Sequence, residues 1–307
     1  MTGSSTATAP IPRSVEQSTA GSRLAAPRSP LAQALRRTVR NPAGVFGLTL
    51  LSLLVFCALA APIVSPHDPL LQHPGDELKG PGGAYPLGTD HLGRDLLSRI
   101  IYGSRSSLLV GVVAVALGAN VGILTGLLAG YFGGLVDTLI MRFYDALLSF
   151  PAVLLGIAIV SVLGTGMLNV AYALAIASLP AFARLMRSQV LAQRERDYVL
   201  AARCSGASDR RIMWLHVLPN AVAPLLIQIA LAMGFSVLVE SALSFLGLGT
   251  QPPNPSWGAM LNESRAYLRT SPAFGIFPGI ALAVLLLGLN FLADALRDAL
   301  DPRRTNA

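Results

Sequence analysis

Side chains able to do chemistry are scarce in this sequence and widely scattered. Among its 307 residues are two cysteines and four histidines, and only 13% are Asp, Glu, Lys or Arg. Cys57 lies in an apolar run and Cys204 in a charged one, too few and too differently placed for a disulfide framework or a thiolate metal site. The single lysine, Lys79, follows Leu78, so the Gly-Lys-Ser/Thr phosphate loop is absent and the chain is not a P-loop ATPase. His67, His73 and His91, the last beside Asp90, carry imidazoles of the kind that suit nickel. No spacing gathers several of them, and structural roles are expected. No His/Asp/Glu or Cys/His set recurs at reactive spacing, so the sequence predicts a non-catalytic chain with no cofactor or metal of its own.

Two acids stand out by position. Glu240 is the one ionisable residue well inside an apolar run, where a carboxylate is costly unless it faces a bundle interior, a water-filled cavity or a partner. It either lines a path or gate through the bundle, or is satisfied by backbone amides of the Gly-rich turn that follows. Asp145 has Arg142 three residues before it, which reads as a surface ion pair. Pro151, one turn further on, reads as a helix kink, and a kinked helix can line a pore.

The elements that must position these residues are membrane spans. Apolar residues make up 53% of the chain, and several stretches of about twenty residues hold no charge, the length that crosses a bilayer core. An all-α polytopic membrane protein with six transmembrane helices is expected. The spans fall near 45–64, 107–131, 146–163, 170–182 (continuing towards Met186), 221–246 and 274–292. The organisation predicted is an unstructured Ser/Thr/Ala/Pro-rich tail over 1–30, a basic interfacial helix over 31–44, a first span over 45–65 and an outer segment over 66–105. A core of five further spans follows over 106–300, with a loop at 188–220 and a short tail at 301–307. Basic loops stay cytoplasmic, and with the N-terminus inside, 17 of the 23 Lys and Arg residues fall on the inner side. Both termini are thus expected in the cytoplasm, and the net charge of +7 reflects this bias rather than nucleic-acid binding.

The inner loop between the fourth and fifth spans, RERDYVLAARCSGASDRRIMWLHVLPN at 194–220, reads as helix, turn, helix. Gly206 suits the left-handed position that ends a helix, Ser208 suits the N-cap of the next, and Pro219 is expected to stop that second helix. The small residues Ala201, Ala202, Gly206 and Ala207 form a knob that another protein's groove can approach closely, with Arg203 and Asp209 beside it for polar contacts.

This loop resembles the signature of membrane subunits of ATP-binding-cassette importers. Leu200-Ala201-Ala202, Gly206 and Leu218-Pro219 stand at the family's spacings, while Leu200 and His216 depart from the usual Glu and Ile. PLGTDHLGRDLLSRIIYGSRSSLLVG at 86–111 and ESALSFLGLGTQPPNPSWG at 240–258 resemble the second membrane subunit of dipeptide, oligopeptide and nickel permeases. The resemblance covers roughly 31–305. It implies the permease fold of type I importers in a bacterial inner membrane, and ATP-driven uptake of dipeptides or oligopeptides, with nickel or glutathione-like cargo as alternatives. It further implies a homologous second permease subunit, two ATPase subunits that hold ATP and Mg, and an extracytoplasmic binding protein. Ala201, Ala202, Arg203, Gly206, Ala207, Ser208, Asp209 and Pro219 would then form the ATPase-coupling loop.

On the outer side, 90–102 reads as an interfacial helix, and the Pro-rich QPPNPSWGAM as a non-helical loop with Trp257 anchored at the interface. Asp90, Arg94, Asp95 and Trp257 are therefore expected to form the surface on which the binding protein docks. A secondary carrier is the rival reading, but such carriers place ionisable groups near the midplane, and no span has one there. The arginine distribution predicts that a membrane-impermeant cysteine label reaches Asn254→Cys from outside and Ser208→Cys only from inside. Labelling of both from one side would overturn the six-span topology.

Overall fold

The computed structural model describes residues 36–300. The predicted tails at 1–30 and 301–307, and the first part of the predicted basic helix, lie outside them. The helices are α1 (Pro42–Leu59), α2 (Ala61–Val64), α3 (Leu96–Phe132), α4 (Gly134–Leu148), α5 (Ala152–Leu163), α6 (Met167–Arg194) and α7 (Asp197–Cys204). They continue with α8 (209–221), α9 (Ala223–Phe245), α10 (Trp257–Ser264) and α11 (Pro272–Leu300). Among the described residues there is no strand, only isolated bridges such as Thr89 with Asp95. Five helices are long and apolar enough to cross a bilayer, and the bent pair of α4 and α5 makes six when counted as one span. The all-α, six-span expectation holds.

The pairing of α3 with α6 is the most extensive in the bundle, and its cause is a run of glycines four apart. Gly118, Gly122, Gly126 and Gly130 lie buried on one face of α3. A Cβ at these positions would strike Ser178, Phe182 with the Leu179 carbonyl, Ala183, and Val190 with the Arg187 carbonyl in turn. The two helices run parallel in near backbone contact, as small residues permit in lipid, where close packing drives association. Arg187 on α6 then grips Asp137 on α4 through two guanidinium nitrogens. α1 is capped by Asn41, whose side-chain oxygen accepts from the Ala43 N–H at 3.0 Å, and has Pro42 in its first turn. It leans on α11, with Phe46 edge to face against Phe291 at 5.1 Å. The basic segment before it ends in a turn near Val39 and Arg40, and Arg37 donates to the Ala299 carbonyl at 3.3 Å.

Several local expectations are corrected. Residues 90–95 are a tight turn, not an interfacial helix. The helix starts at Leu96, capped by the Asp95 carboxylate on the Ser98 N–H at 2.9 Å, and runs unbroken for 37 residues. At 1.5 Å per residue that is about 55 Å, well beyond the roughly 30 Å of the hydrocarbon core. Pro151 breaks the third span rather than kinking it: α4 and α5 meet at 93° across Ser149, Phe150 and Pro151. Asp145 pairs across helices with Arg184 at 2.5 Å instead of with Arg142, and both partners are about half exposed, so the pair adds little stability. Pro219 does not stop α8. It sits where the preceding turn widens into π geometry over Ile212–Val217, which absorbs the missing N–H, and the chain stays helical to Ala221. Trp257 opens α10 instead of lying in an irregular loop, because the Ser256 hydroxyl accepts from the Ala259 N–H at 3.2 Å and caps it.

The glycine face gives a direct test. Gly126→Val places branched carbon against the Ala183 backbone and should cost about 1–3 kcal/mol or more, lowering the thermal unfolding midpoint in detergent. Gly234→Ala should be neutral or stabilising, since a Cβ there meets its nearest neighbour, Leu286, at an ordinary 3.7 Å. Equal behaviour of the two variants would show that the α3–α6 contact is not the tight one.

Candidate functional site

The loop that the sequence singles out projects from one end of the bundle, here called the loop end. α7 stops in a left-handed glycine motif: Gly206 has φ +78°, its N–H donates to the Arg203 carbonyl at 2.9 Å, and the Ala207 N–H donates to the Ala202 carbonyl at 3.1 Å. A Cβ on Gly206 would meet nothing within 4 Å, so the requirement for glycine there is one of backbone angle alone. Ser208 stands at the N-cap position of α8 with extended backbone, although its hydroxyl makes no capping bond. Ala201, Arg203, Gly206, Ser208, Asp209 and Pro219 are exposed, and Ala202 and Ala207 half-buried.

Beneath this knob the loop is rooted. Val199, Ile212 and Val217 are fully buried and join Leu127, Tyr131, Phe182, Met186 and Val190 in one apolar cluster. The loop thus shares its core with the ends of α3 and α6. The loop also exposes large apolar side chains, with Tyr198, Leu200, Trp214 and Leu215 showing 37%, 49%, 45% and 63% of their surface. Trp214 was the overlooked part of the knob, although a Trp between arginines and a Leu-His pair is a legible contact signal. Leu200, at the position where the resembling family has Glu, is one of these exposed apolar side chains.

In the middle of the bundle the α4–α5 bend opens a cavity of about 340 Å³. Leu147, Phe150, Leu155, Leu174, Leu231 and Phe235 supply most of its wall, with Ser178, Gln228 and Ser236 as polar points and no charged side chain. Pro151 occupies the N-cap position of α5 at the bend, next to Phe150 and Ala152 of the wall. Asp145 lies a turn away on an exposed helix surface and does not line the cavity. Neither does Glu240, which is 1% exposed. Its carboxylate accepts from the hydroxyls of Ser244 at 2.7 Å, Ser107 at 3.2 Å and Ser241 at 3.4 Å. Serine hydroxyls, one of them on α3, satisfy it where one of the two sequence readings named backbone amides, and tie α9 to α3. The Glu240 and Ser244 spacing of four residues was the readable half of this arrangement; Ser107 was not.

At the opposite end, the four side chains expected to face a binding protein are all buried: Asp90, Asp95 and Trp257 fully and Arg94 to within 4%. They brace the end instead. Arg94 meets Asp90 at 2.6 Å, Arg99 meets Asp90 at 3.3 Å, and both arginines reach Glu263 on α10 at 3.3 Å. Trp257 donates its indole N–H to the Ile100 carbonyl at 3.0 Å. Buried Asp90 and half-buried Glu263 balance the charge of the two buried arginines, which is what permits that burial. Asp90, His91 and Glu263 bring ligand atoms within 4.8 Å of one another. Both carboxylates already face two guanidinium groups, a setting that repels a cation.

Comparison with known proteins accounts for this arrangement. Residues 122–306 match the family described as binding-protein-dependent transport system inner membrane component, and residues 29–81 match the N-terminal TM domain of oligopeptide transport permease C. The di/tripeptide transport system permease protein DppC of Pseudomonas aeruginosa is 45% identical over 91% of this chain and 94% of its own. The dipeptide transport system permease protein DppC of Alkalihalophilus pseudofirmus is 41% identical over 90% of each. The glutathione transport system permease protein GsiD of Pectobacterium atrosepticum is 43% identical over 90% of this chain and 92% of its own. In fold the chain is similar to a solved inward-facing structure of the MetNI methionine ABC transporter, with a TM-score of 0.54 at 17% identity, over 66% of this chain and 96% of that one. With the bent six-span bundle and the rooted loop already in place, these matches show that the chain belongs to the family of binding-protein-dependent transport system inner membrane components.

Proposed function

We propose that this chain is one of two non-identical membrane subunits of an ATP-driven importer for dipeptides and other short peptides. The single observation that carries this reading is the loop end: an exposed knob of small residues, fixed by the Gly206 turn and accompanied by exposed apolar side chains, on a core continuous with α3 and α6. Such a knob suits the groove of a separate ATPase. The names of the relatives support the cargo class, since di/tripeptide and glutathione permeases both handle short peptides. In this reading the loop end is cytoplasmic, as are both termini, and the chain sits in the bacterial inner membrane. Two ATPase subunits hold ATP and Mg, and a binding protein delivers cargo to the outer end, whose exposed skin is held in shape by the Asp90, Arg94, Arg99 and Glu263 cluster.

No bond in the cargo is made or broken. Closure of the ATPases around ATP favours one of two global arrangements of the spans, and the docked loops carry that preference into the bundle. The cavity at the α4–α5 bend lies at mid-depth and is the part of this chain's wall that cargo would meet.

Reconstituted with its partners, the chain should support ATP-dependent uptake of labelled dipeptide and tripeptide into proteoliposomes, tested beside glutathione and nickel. Uptake of nickel alone would remove the peptide reading. The coupling role has its own test in Gly206→Val. A branched residue at φ +78° costs about 1–2 kcal/mol or more and misdirects α8. The variant should insert and pair with its membrane partner, retain the ATPase poorly on pull-down, and transport little. Normal retention and normal uptake would show that this loop is not the coupling element.

A further inference from the structure

The loop end contains a polar contact that neither the knob nor the apolar cluster requires. Tyr131 lies in the last turn of α3 and is 6% exposed. Its hydroxyl donates to Asp209 Oδ1 at 2.6 Å, and the Arg203 guanidinium carbon lies 5.9 Å from the centre of its ring. Arg203 belongs to α7 and Asp209 begins α8, on either side of the Gly206 turn. One side chain of a spanning helix therefore holds both arms of the loop, and any change in the angle between them must stretch one contact or the other. The neighbouring Arg194 guanidinium donates to the Gly130 carbonyl at 3.1 Å, so the end of α3 that presents Tyr131 is itself fastened to α6. Through the glycine face, that end is continuous with the tightest helix pair in the molecule.

From this we infer that Tyr131 is the positioning residue that hands movement of the docked loop to the spanning helices. The inference rests on the importer reading given above. The apolar cluster keeps the loop attached but is non-directional, since contacts among Val199, Ile212, Val217 and Met186 tolerate small slides. A charge-assisted hydrogen bond to one carboxylate oxygen is directional and fixes the loop at a defined angle. The hydroxyl of Tyr131 therefore matters for the transmission of motion and not for the existence of the loop or for its outward face.

The test is Tyr131→Phe in the full reconstituted importer, reading ATP hydrolysis, peptide uptake and retention of the ATPase in one preparation. The ring and its packing are kept, so insertion and ATPase retention should match the parent. ATP hydrolysis should persist while peptide taken up per ATP falls about fivefold or more, the low end of ordinary coupling. Asp209→Asn, which keeps shape and an acceptor but removes the charge, should lose less than Asp209→Ala. It serves in place of Tyr131→Phe should that protein fail to reach the membrane. An unchanged ratio of uptake to hydrolysis would overturn the inference. Loss of ATPase retention in Tyr131→Phe would overturn it too, by showing that the hydroxyl shapes the docking face. Uptake by the unmodified importer in the same vesicles separates this failure from the larger one: no ATP-dependent peptide uptake there would remove the importer reading and the inference with it.

Discussion

The structure depends on how closely α3 and α6 approach. Four buried glycines let the backbones come into near contact over more than three turns of α3, and the remaining helices are arranged around that pair. Arg187 fixes α4 to it through Asp137, Glu240 attaches α9 to it through Ser107, and the loop grows from its end through Tyr131, Phe182, Met186 and Val190. Lipid gives no hydrophobic reward for bringing apolar helices together, so surface fit must supply the association, and small side chains supply the fit. Push the pair apart and the loop loses its foundation, although not one loop residue has changed.

The features legible in the sequence were those set by local rules. Stretches of uncharged residues announced the spans, because a bilayer demands a minimum length whatever the neighbours do. Gly206 and Ser208 announced the turn between α7 and α8, because a left-handed backbone and a helix start follow from single residues. What the sequence hid depended on partners far along the chain. Asp145 chose Arg184 over its neighbour Arg142, and Asp90 and Arg94 turned inward because Arg99 and Glu263 complete their charge balance. Pro219 defeated a local rule in the same manner: with α8 running on towards α9, a widened turn was cheaper than a break. The glycine period of four in α3 was visible in the letters, but only the facing helix gave it meaning.

Two of the most deeply buried acids are compensated by partners from other elements. Glu240 is matched by serine hydroxyls and Asp90 by guanidinium groups, while Asp95 accepts from Ser98 through one oxygen only. This matching is what lets a chain with so few charges bury several of them, since an uncompensated carboxylate would cost more than a marginal membrane fold can bear. The matched groups are also the joints of the molecule, each linking two elements that sequence separates.

The cavity at the α4–α5 bend carries no charge on this chain, only a serine pair, one amide and a wall of leucine and phenylalanine. If the cavity is the passage proposed above, a zwitterionic guest would find no counter-ion in that wall and this chain would have little basis for preferring one side chain over another. Under the importer reading proposed above, selection would rest with the receptor that delivers the guest, and throughput with the ATPase that reverses the opening. A conduit of that kind could be given a new diet by exchanging its receptor, with no change in its own lining.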